Sequence, residues 1–119
     1  MAKHNQLGQL GEEWAKNYLL EQGYTLLEQN WRWGKGEIDL IVRQEDCIIF
    51  VEVKTRTTAR FGQPEEAVSV KKQNLMYELA VEYLHQIVHE QEFRFDIIAI
   101  TMQPQKELRH FQDAFFPTW

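Results

Sequence analysis

Two short β-prone runs, residues 37–43 (EIDLIVR) and 48–54 (IIFVEVK), stand four residues apart and constrain this chain more than any other feature. Branched aliphatic and aromatic residues favour strands, and the polar linker Gln44-Glu45-Asp46-Cys47 invites a tight reversal, so the pair reads as a β-hairpin. Three residues contradict the apolar pattern: Asp39 in the first run, Glu52 and Lys54 in the second. Side chains alternate along a strand, so Glu52 and Lys54 share a face. If Arg43 pairs with Ile48, or if Glu45-Asp46 forms a two-residue turn, the same register carries Asp39 to a position opposite Glu52. Cross-strand partners lie roughly 5 Å apart at Cβ.

Two carboxylates at that separation repel unless positive charge lies between them. A divalent cation answers this. Mg²⁺ takes oxygen ligands, commonly one or two carboxylates completed by water and phosphate oxygens. Asp39 and Glu52 are the expected ligands of Mg²⁺ (or Mn²⁺), with the backbone carbonyl of Val53 as a further one. Lys54 stands beside the ion, placed to contact a phosphate or orient an attacking water, and this set suits metal-assisted phosphodiester hydrolysis. The bland alternative is a solvated strand face with a Glu52–Lys54 ion pair.

Elsewhere the chain supplies the rest of one α/β domain spanning residues 1–119. Leu7, Leu10, Trp14 and Tyr18 recur at helical spacing, predicting a helix over about 5–22 that Gly23 ends, with Gly8, Gly11 and Ala15 allowing close approach to a sheet. Residues 24–27 read as a short strand, 30–36 as a loop, and 55–63 as a polar, basic loop. Ser69 is a fitting N-cap for a long helix to about Val88, whose core face is Leu75, Met76, Leu79, Ala80, Tyr83 and Ile87. Residues 93–101 form a strand, and 108–111 an optional last edge strand. The order is helix, three strands, helix, strand: a mixed central sheet flanked by helices.

The lone Cys47 excludes an internal disulfide framework and a cysteine-rich zinc site, and points to a reducing, cytoplasmic setting. No apolar run approaches membrane-spanning length. The net charge of −5 weighs against a nucleic-acid binder. It is uneven, however: residues 1–30 carry −2, residues 31–72 carry +1 and residues 73–119 carry −4. The segment with Asp39 and Glu52 is thus the most basic.

Several residues surround the expected site. Glu12 borders the sheet-facing side of the first helix and is the third acid, placed to complete the metal shell from above; its alternative is a surface carboxylate. Trp31, Arg32, Trp33 and Lys35 make an aromatic-basic segment suited to stacking on bases or gripping a phosphate backbone, unless the tryptophans plug the core. Arg56, Arg60, Lys71 and Lys72 are expected backbone contacts or surface charge. Lys72 opposes the dipole of the helix it begins, which suggests a role beyond helix stability. His85 and His89 lie one turn apart, a spacing that can bind zinc, with no third ligand evident. Asp96 lies inside an apolar strand, in a supporting role or paired with Arg94. Phe111, Phe115, Phe116 and Trp119 either cover the core's edge or form a dimer contact.

Gly36-Glu-Ile-Asp-Leu-Ile followed by Phe50-Val-Glu-Val-Lys-Thr-Arg resembles the YraN-like family of uncharacterised bacterial proteins. The resemblance extends to Gly11-Glu12 with Ala15, Gly23-Tyr24, Asn30-Trp31-Arg32, Lys72-Gln73 and Arg94-Phe-Asp-Ile, nearly the whole chain. That family resembles archaeal Holliday-junction resolvases within the PD-(D/E)xK nuclease superfamily; Ile38 stands where the superfamily's name has proline. The resemblance implies a restriction-endonuclease-like core with Glu12, Asp39, Glu52 and Lys54 at catalytic positions. It also implies a Mg²⁺-dependent endonuclease acting, as a homodimer, on branched or structured DNA. The alternatives are a nucleic-acid-binding module without turnover and a structural or protein-interaction domain.

Overall fold

The computed structural model describes residues 2–58, 68–88 and 92–116. Its elements are α1 (Ala2–Glu21), β1 (Thr25–Trp33), β2 (Gly36–Gln44), β3 (Cys47–Thr58), α2 (Val70–Gln86), β4 (Phe93–Gln103) and β5 (Glu107–Phe115). The strands form one sheet in the order β1-β2-β3-β4-β5. Its pairings are antiparallel except for β3 with β4, which run parallel. Parallel neighbours require a crossover connection, and α2 lies in it.

β3 is the central strand, and its near-continuous apolar run fits burial on both faces. Ile49, Val51 and Val53 pack with Ala15 and Leu19 of α1, while Ile48 and Phe50 pack with Met76, Leu79, Ala80 and Tyr83 of α2. One helix therefore covers each face, a mixed five-stranded sheet between two helices. Phe50 is also the hub of an aromatic cluster with Tyr83, Phe93 and Phe95, and Phe95 stacks on Phe115 of the edge strand at 5.1 Å. Phe115 thus covers the end of the core; Trp119 lies outside the described residues.

Both helix ends suggested by the sequence are built as local chemistry requires. At the end of α1 the Tyr24 N–H donates to Leu19 O and the Gly23 N–H to Leu20 O, with Gly23 at φ +94°. This paired 6→1 and 5→2 closure favours glycine because a Cβ penalises positive φ. At α2 the Ser69 hydroxyl accepts from the Lys72 N–H at 3.1 Å.

The structure corrects several expectations. The inner face of α1 is Gly11, Ala15 and Leu19, as the expected close approach of Gly11 and Ala15 requires, and the Leu7–Leu10–Trp14–Tyr18 stripe does not form it. Leu10 is 62% exposed, while Trp14 and Tyr18 are partly buried at the margins. Contact distance decides this: a Cβ at Gly11 would run into the Thr55 side chain, so the helix lies close along its small residues. The loop expected over 30–36 is strand as far as Trp33, reversing at Gly34-Lys35, because pairing with β2 extends to Trp33↔Gly36. β3 likewise continues to Thr58, held by its parallel pairing with β4. On α2, Leu84 is buried whereas Ile87 is 42% exposed just past the helix end.

Asp96 is fully buried on β4 and salt-bridged to Arg94 (Nε–Oδ1 2.9 Å). It also accepts from the Asp113 N–H at 2.9 Å and lies 2.7 Å from His110 Nε2, while Tyr18 Oη lies 2.9 Å from His110 Nδ1. This network ties β5 and α1 to the central sheet. No helix among the described residues is long and apolar enough to cross a membrane.

Candidate functional site

The β2–β3 hairpin turns at Glu45-Asp46, with Glu45 at φ +54°. Its pairs run from Gln44↔Cys47 through Arg43↔Ile48 to Leu40↔Val51. One further step would pair Asp39 with Glu52. The regular ladder instead ends there, and the Asp39 carboxylate takes over: its Oδ2 accepts the Val53 N–H at 2.8 Å. Face alternation also breaks at this point. Ile38 packs in the α2-side cluster and Leu40 in the α1-side one, although two-residue periodicity would put them together. On the other side of β2, Asn30 adopts φ +51°, a conformation Asn tolerates better than most residues. The β2–β3 ladder therefore ends beside Asp39, while β1 and β2 stay in register across it.

Glu52 continues the α2-facing row of β3 beyond Ile48 and Phe50, but with a charge where the core ends. It is 5% exposed. Its Oε2 lies 3.6 Å from Lys54 Nζ and 4.0 Å from Lys72 Nζ, while Oε1 is buried without a hydrogen-bond partner. Lys72 projects from the first turn of α2, where a cation is disfavoured by the helix dipole; nearby acids offset that cost. Asp39 is pushed up to about 7, first by burial and then by repulsion from Glu52, with Glu37 adding to it; the Val53 N–H and Lys72 act in the opposite direction.

A second layer of acids lies next to Asp39. Asn30 Nδ2 donates both to Glu12 Oε1 at 2.8 Å and to Glu37 Oε2 at 2.9 Å, clamping α1, β1 and β2. Burial raises Glu12 above the ordinary carboxylate range; the Asn30 bond works against this, and Asp39 and Glu37 add repulsion. Glu37 in turn holds Arg32, Nη2 to Oε1 3.0 Å. The structure therefore brings Asp39, Glu52, Lys54 and Lys72 together, with Glu12 adjoining. Arg32 sits at the outer end of the acid chain, Lys35 at the exposed hairpin turn, and Arg56 two residues beyond Lys54 on the same strand. Arg60 and His89 lie outside the described residues.

Sequence reading did not single out Asn30 or Glu37 as site members. Glu37 had one available signal, a two-residue offset from Asp39 in the same strand. The hub role of Asn30 depends on an approach between α1 and β1 that no local pattern encodes.

Cation fit can be judged from the donors. Among the described residues no three His, Cys, Asp or Glu side chains gather as a metal-holding set. Glu12, engaged with Asn30, does not complete a three-acid shell. What remains is two carboxylates, one with an orphaned buried oxygen, plus backbone carbonyls. That donor set suits Mg²⁺ or Mn²⁺ completed by water and phosphate and does not suit zinc.

Comparison with known proteins bears on identity. The chain is 40% identical to the UPF0102 protein of Flavobacterium psychrophilum over 117 residues, covering 98% of each. It is 43% identical to that of Rhodococcus opacus over 118 residues, covering 97% of this chain and 100% of the other. Among solved structures, Pyrococcus furiosus SfsA in complex with Ca²⁺ aligns with a TM-score of 0.41 at 13% identity, over 92% of this chain and 63% of that one. The alignment is too loose to bear on fold or chemistry. A sequence profile described as "Uncharacterised protein family UPF0102" matches residues 11–100, and with full-length relatives at this identity the chain belongs to that family.

Proposed function

We propose that this protein is a metal-dependent endonuclease of the restriction-endonuclease-like class, cutting phosphodiesters in branched or structured DNA. The observation that carries this reading is the buried Glu52 carboxylate, with Oε1 unpartnered, beside an Asp39 whose ionisation is opposed by burial and by Glu52. A cation held between two such carboxylates would relieve their mutual repulsion and give the orphaned oxygen a partner.

Asp39 and Glu52 would hold Mg²⁺ or Mn²⁺, with the Val53 carbonyl at hand. When bound, the ion would polarise a phosphoryl oxygen and ease deprotonation of an attacking water. The Val53 N–H fixes the Asp39 carboxylate. Lys54 offers its ammonium to a phosphate oxygen or to the water, and Lys72 steadies Glu52 and adds charge for the substrate. Glu12 acts from outside the metal shell by holding Asn30. In-line attack by water would leave a 5′-phosphate.

Incubating the protein with four-way junctions, flaps and single strands in Mg²⁺ or Mn²⁺ tests this. Cleavage is expected, reduced by orders of magnitude in Asp39→Ala, Glu52→Ala and Lys54→Met. No cleavage of any substrate, or cleavage undiminished in the first two variants, sinks the reading. A second reading, nucleic-acid binding without turnover, is favoured by the lack of a third convergent acid among the described residues. It predicts salt-sensitive DNA binding with no nicking at high protein concentration.

A further inference from the structure

We propose that the tip of the β1–β2 hairpin is a base-stacking wedge. Trp33, flanked by Arg32 and Lys35, would receive the face of an unpaired base where a DNA duplex opens into single strand. The inference rests on the nuclease reading and narrows its substrate from structured DNA in general to DNA with unpaired bases beside a duplex.

Trp31 and Trp33 lie two residues apart in one strand and so share a face, but they have different surroundings. Trp31 packs edge-on against Tyr83 of α2, ring centroids 5.2 Å apart. Trp33 is 51% exposed at the last pair of the ladder, opposite Gly36. The core is therefore sealed by the first tryptophan, while the second holds its indole toward water, with no comparable packing among the described residues. An exposed indole suits a contact made from outside.

The tip is braced. A Cβ at Gly36 would come within 2.7 Å of Leu79 Cδ1, so the backbone beneath Trp33 rests directly on α2. Arg32 is tied to Glu37 at 3.0 Å, and Glu37 through Asn30 to Glu12. A platform already held in place loses little freedom on binding.

Charge and shape select the occupant. Lys35 is exposed in the turn beside Trp33, and Arg32, on the opposite face of β1, is exposed at the same tip. Positive charge there suits the phosphates of a strand whose base stacks on the indole, and every base has a π-face to stack. Matched duplex presents base faces only at its ends. An apolar protein partner would gain nothing from cations at the tip. The chain Arg32–Glu37–Asn30–Glu12 also links the tip to the carboxylates around Asp39, so a base held at Trp33 would fix the strand entering the site.

The test uses the full chain in chelator, which holds off hydrolysis, with a labelled forked duplex, a fully matched blunt-ended duplex and a single strand. A 2-aminopurine occupies the first unpaired position of the fork. Trp33→Ala is expected to lose roughly ten- to hundred-fold in affinity for the fork, the range for one stacked base. Its affinity for the matched duplex and its melting temperature should stay near those of the parent. Trp33→Phe should recover most of the loss, and 2-aminopurine quenching should depend on residue 33. Fork affinity unchanged in Trp33→Ala overturns the proposal, as does an equal loss on fork and matched duplex. A self-association that Trp33→Ala abolishes while fork binding persists also overturns it, by assigning the surface to a second copy. The nuclease reading fails separately. Fork binding that needs Trp33 without cleavage in Mg²⁺ or Mn²⁺ keeps the wedge and discards the nuclease; cleavage indifferent to Trp33 does the reverse.

Discussion

At the scale of single residues, the same chemistry that would suit Asp39 to the proposed cation makes it a burden to the metal-free fold. Its carboxyl is pushed up to about 7 from an ordinary value of 3.8, so between those two pH values the unfolded chain has released a proton that the folded chain retains. Stability then falls as pH rises through this window, and the loss is complete above it. Asp39→Asn keeps an oxygen to accept the Val53 N–H but carries no charge. In chelator its melting temperature should exceed the parent's at pH 8, on the order of 5 °C for a domain of this size, and match it at pH 4. Mn²⁺ binding by calorimetry should vanish in the same variant. A variant no more stable than the parent at pH 8 would show that the carboxylate is not penalised.

Asp96 behaves in the opposite sense. Burial alone would raise it, but the bonds from His110, Arg94 and the Asp113 N–H outweigh burial and hold it below the ordinary carboxylate range. Its contribution is present above the unfolded value and is lost as pH falls through the lowered folded one. Asp96→Ala leaves a partly buried guanidinium and a buried imidazole without their acceptor, and should cost about 3 kcal/mol in urea unfolding at pH 7.

At the scale of elements, what was legible in the sequence depended on how local the cause was. The β2–β3 register could be read because a two-residue turn and two apolar runs determine it. The Ser69 cap and the Gly23 stop were legible because each is a contact within one turn. Asp39, Glu52 and Lys54 stood out because a charge inside an apolar strand is anomalous wherever it occurs. The extension of β1 through Trp-Arg-Trp was missed: residues of loop-like composition become strand when a neighbour supplies the ladder. On α1 the close side was legible in Gly11 and Ala15, but the Leu7–Leu10–Trp14–Tyr18 stripe misled, since large apolar residues mark a helix face only where the partner leaves room. Gly11 makes this measurable. In an isolated helix Gly11→Ala would help by roughly 1 kcal/mol. Here the added Cβ meets Thr55, so the substitution should destabilise by about 1–3 kcal/mol. Thr55→Ala should recover most of that loss in the double variant. Additive losses would place the strain elsewhere.

At the scale of the whole molecule, the net charge of −5 has to be reconciled with the polyanionic substrate proposed for it. Charge is segregated along the chain: residues 31–72 carry +1, and the acidic excess falls before and after them. The molecule extends 43 Å along its longest axis, several times the roughly 10 Å Debye length at 0.1 M salt. Distant acids are then screened from a phosphate at the hairpin or beside Lys54, while the cations in contact are not. Two consequences follow for DNA affinity against salt. Above about 0.1 M the slope of log K against log salt should reflect local contacts only. With Arg32, Lys35, Lys54 and Lys72 as the set, it should lie between about −2 and −4, and Lys35→Gln should reduce its magnitude by roughly 1. Below about 0.03 M, where the Debye length approaches half the molecule, repulsion from the acidic segments should flatten the curve. Anisotropy titrations of a forked duplex across KCl concentrations measure both. A slope near zero would mean that no phosphate is held and would remove the nucleic-acid reading altogether. A slope steeper than about −5 would require more cations than these four and would move the interface off the hairpin and the Glu52 row.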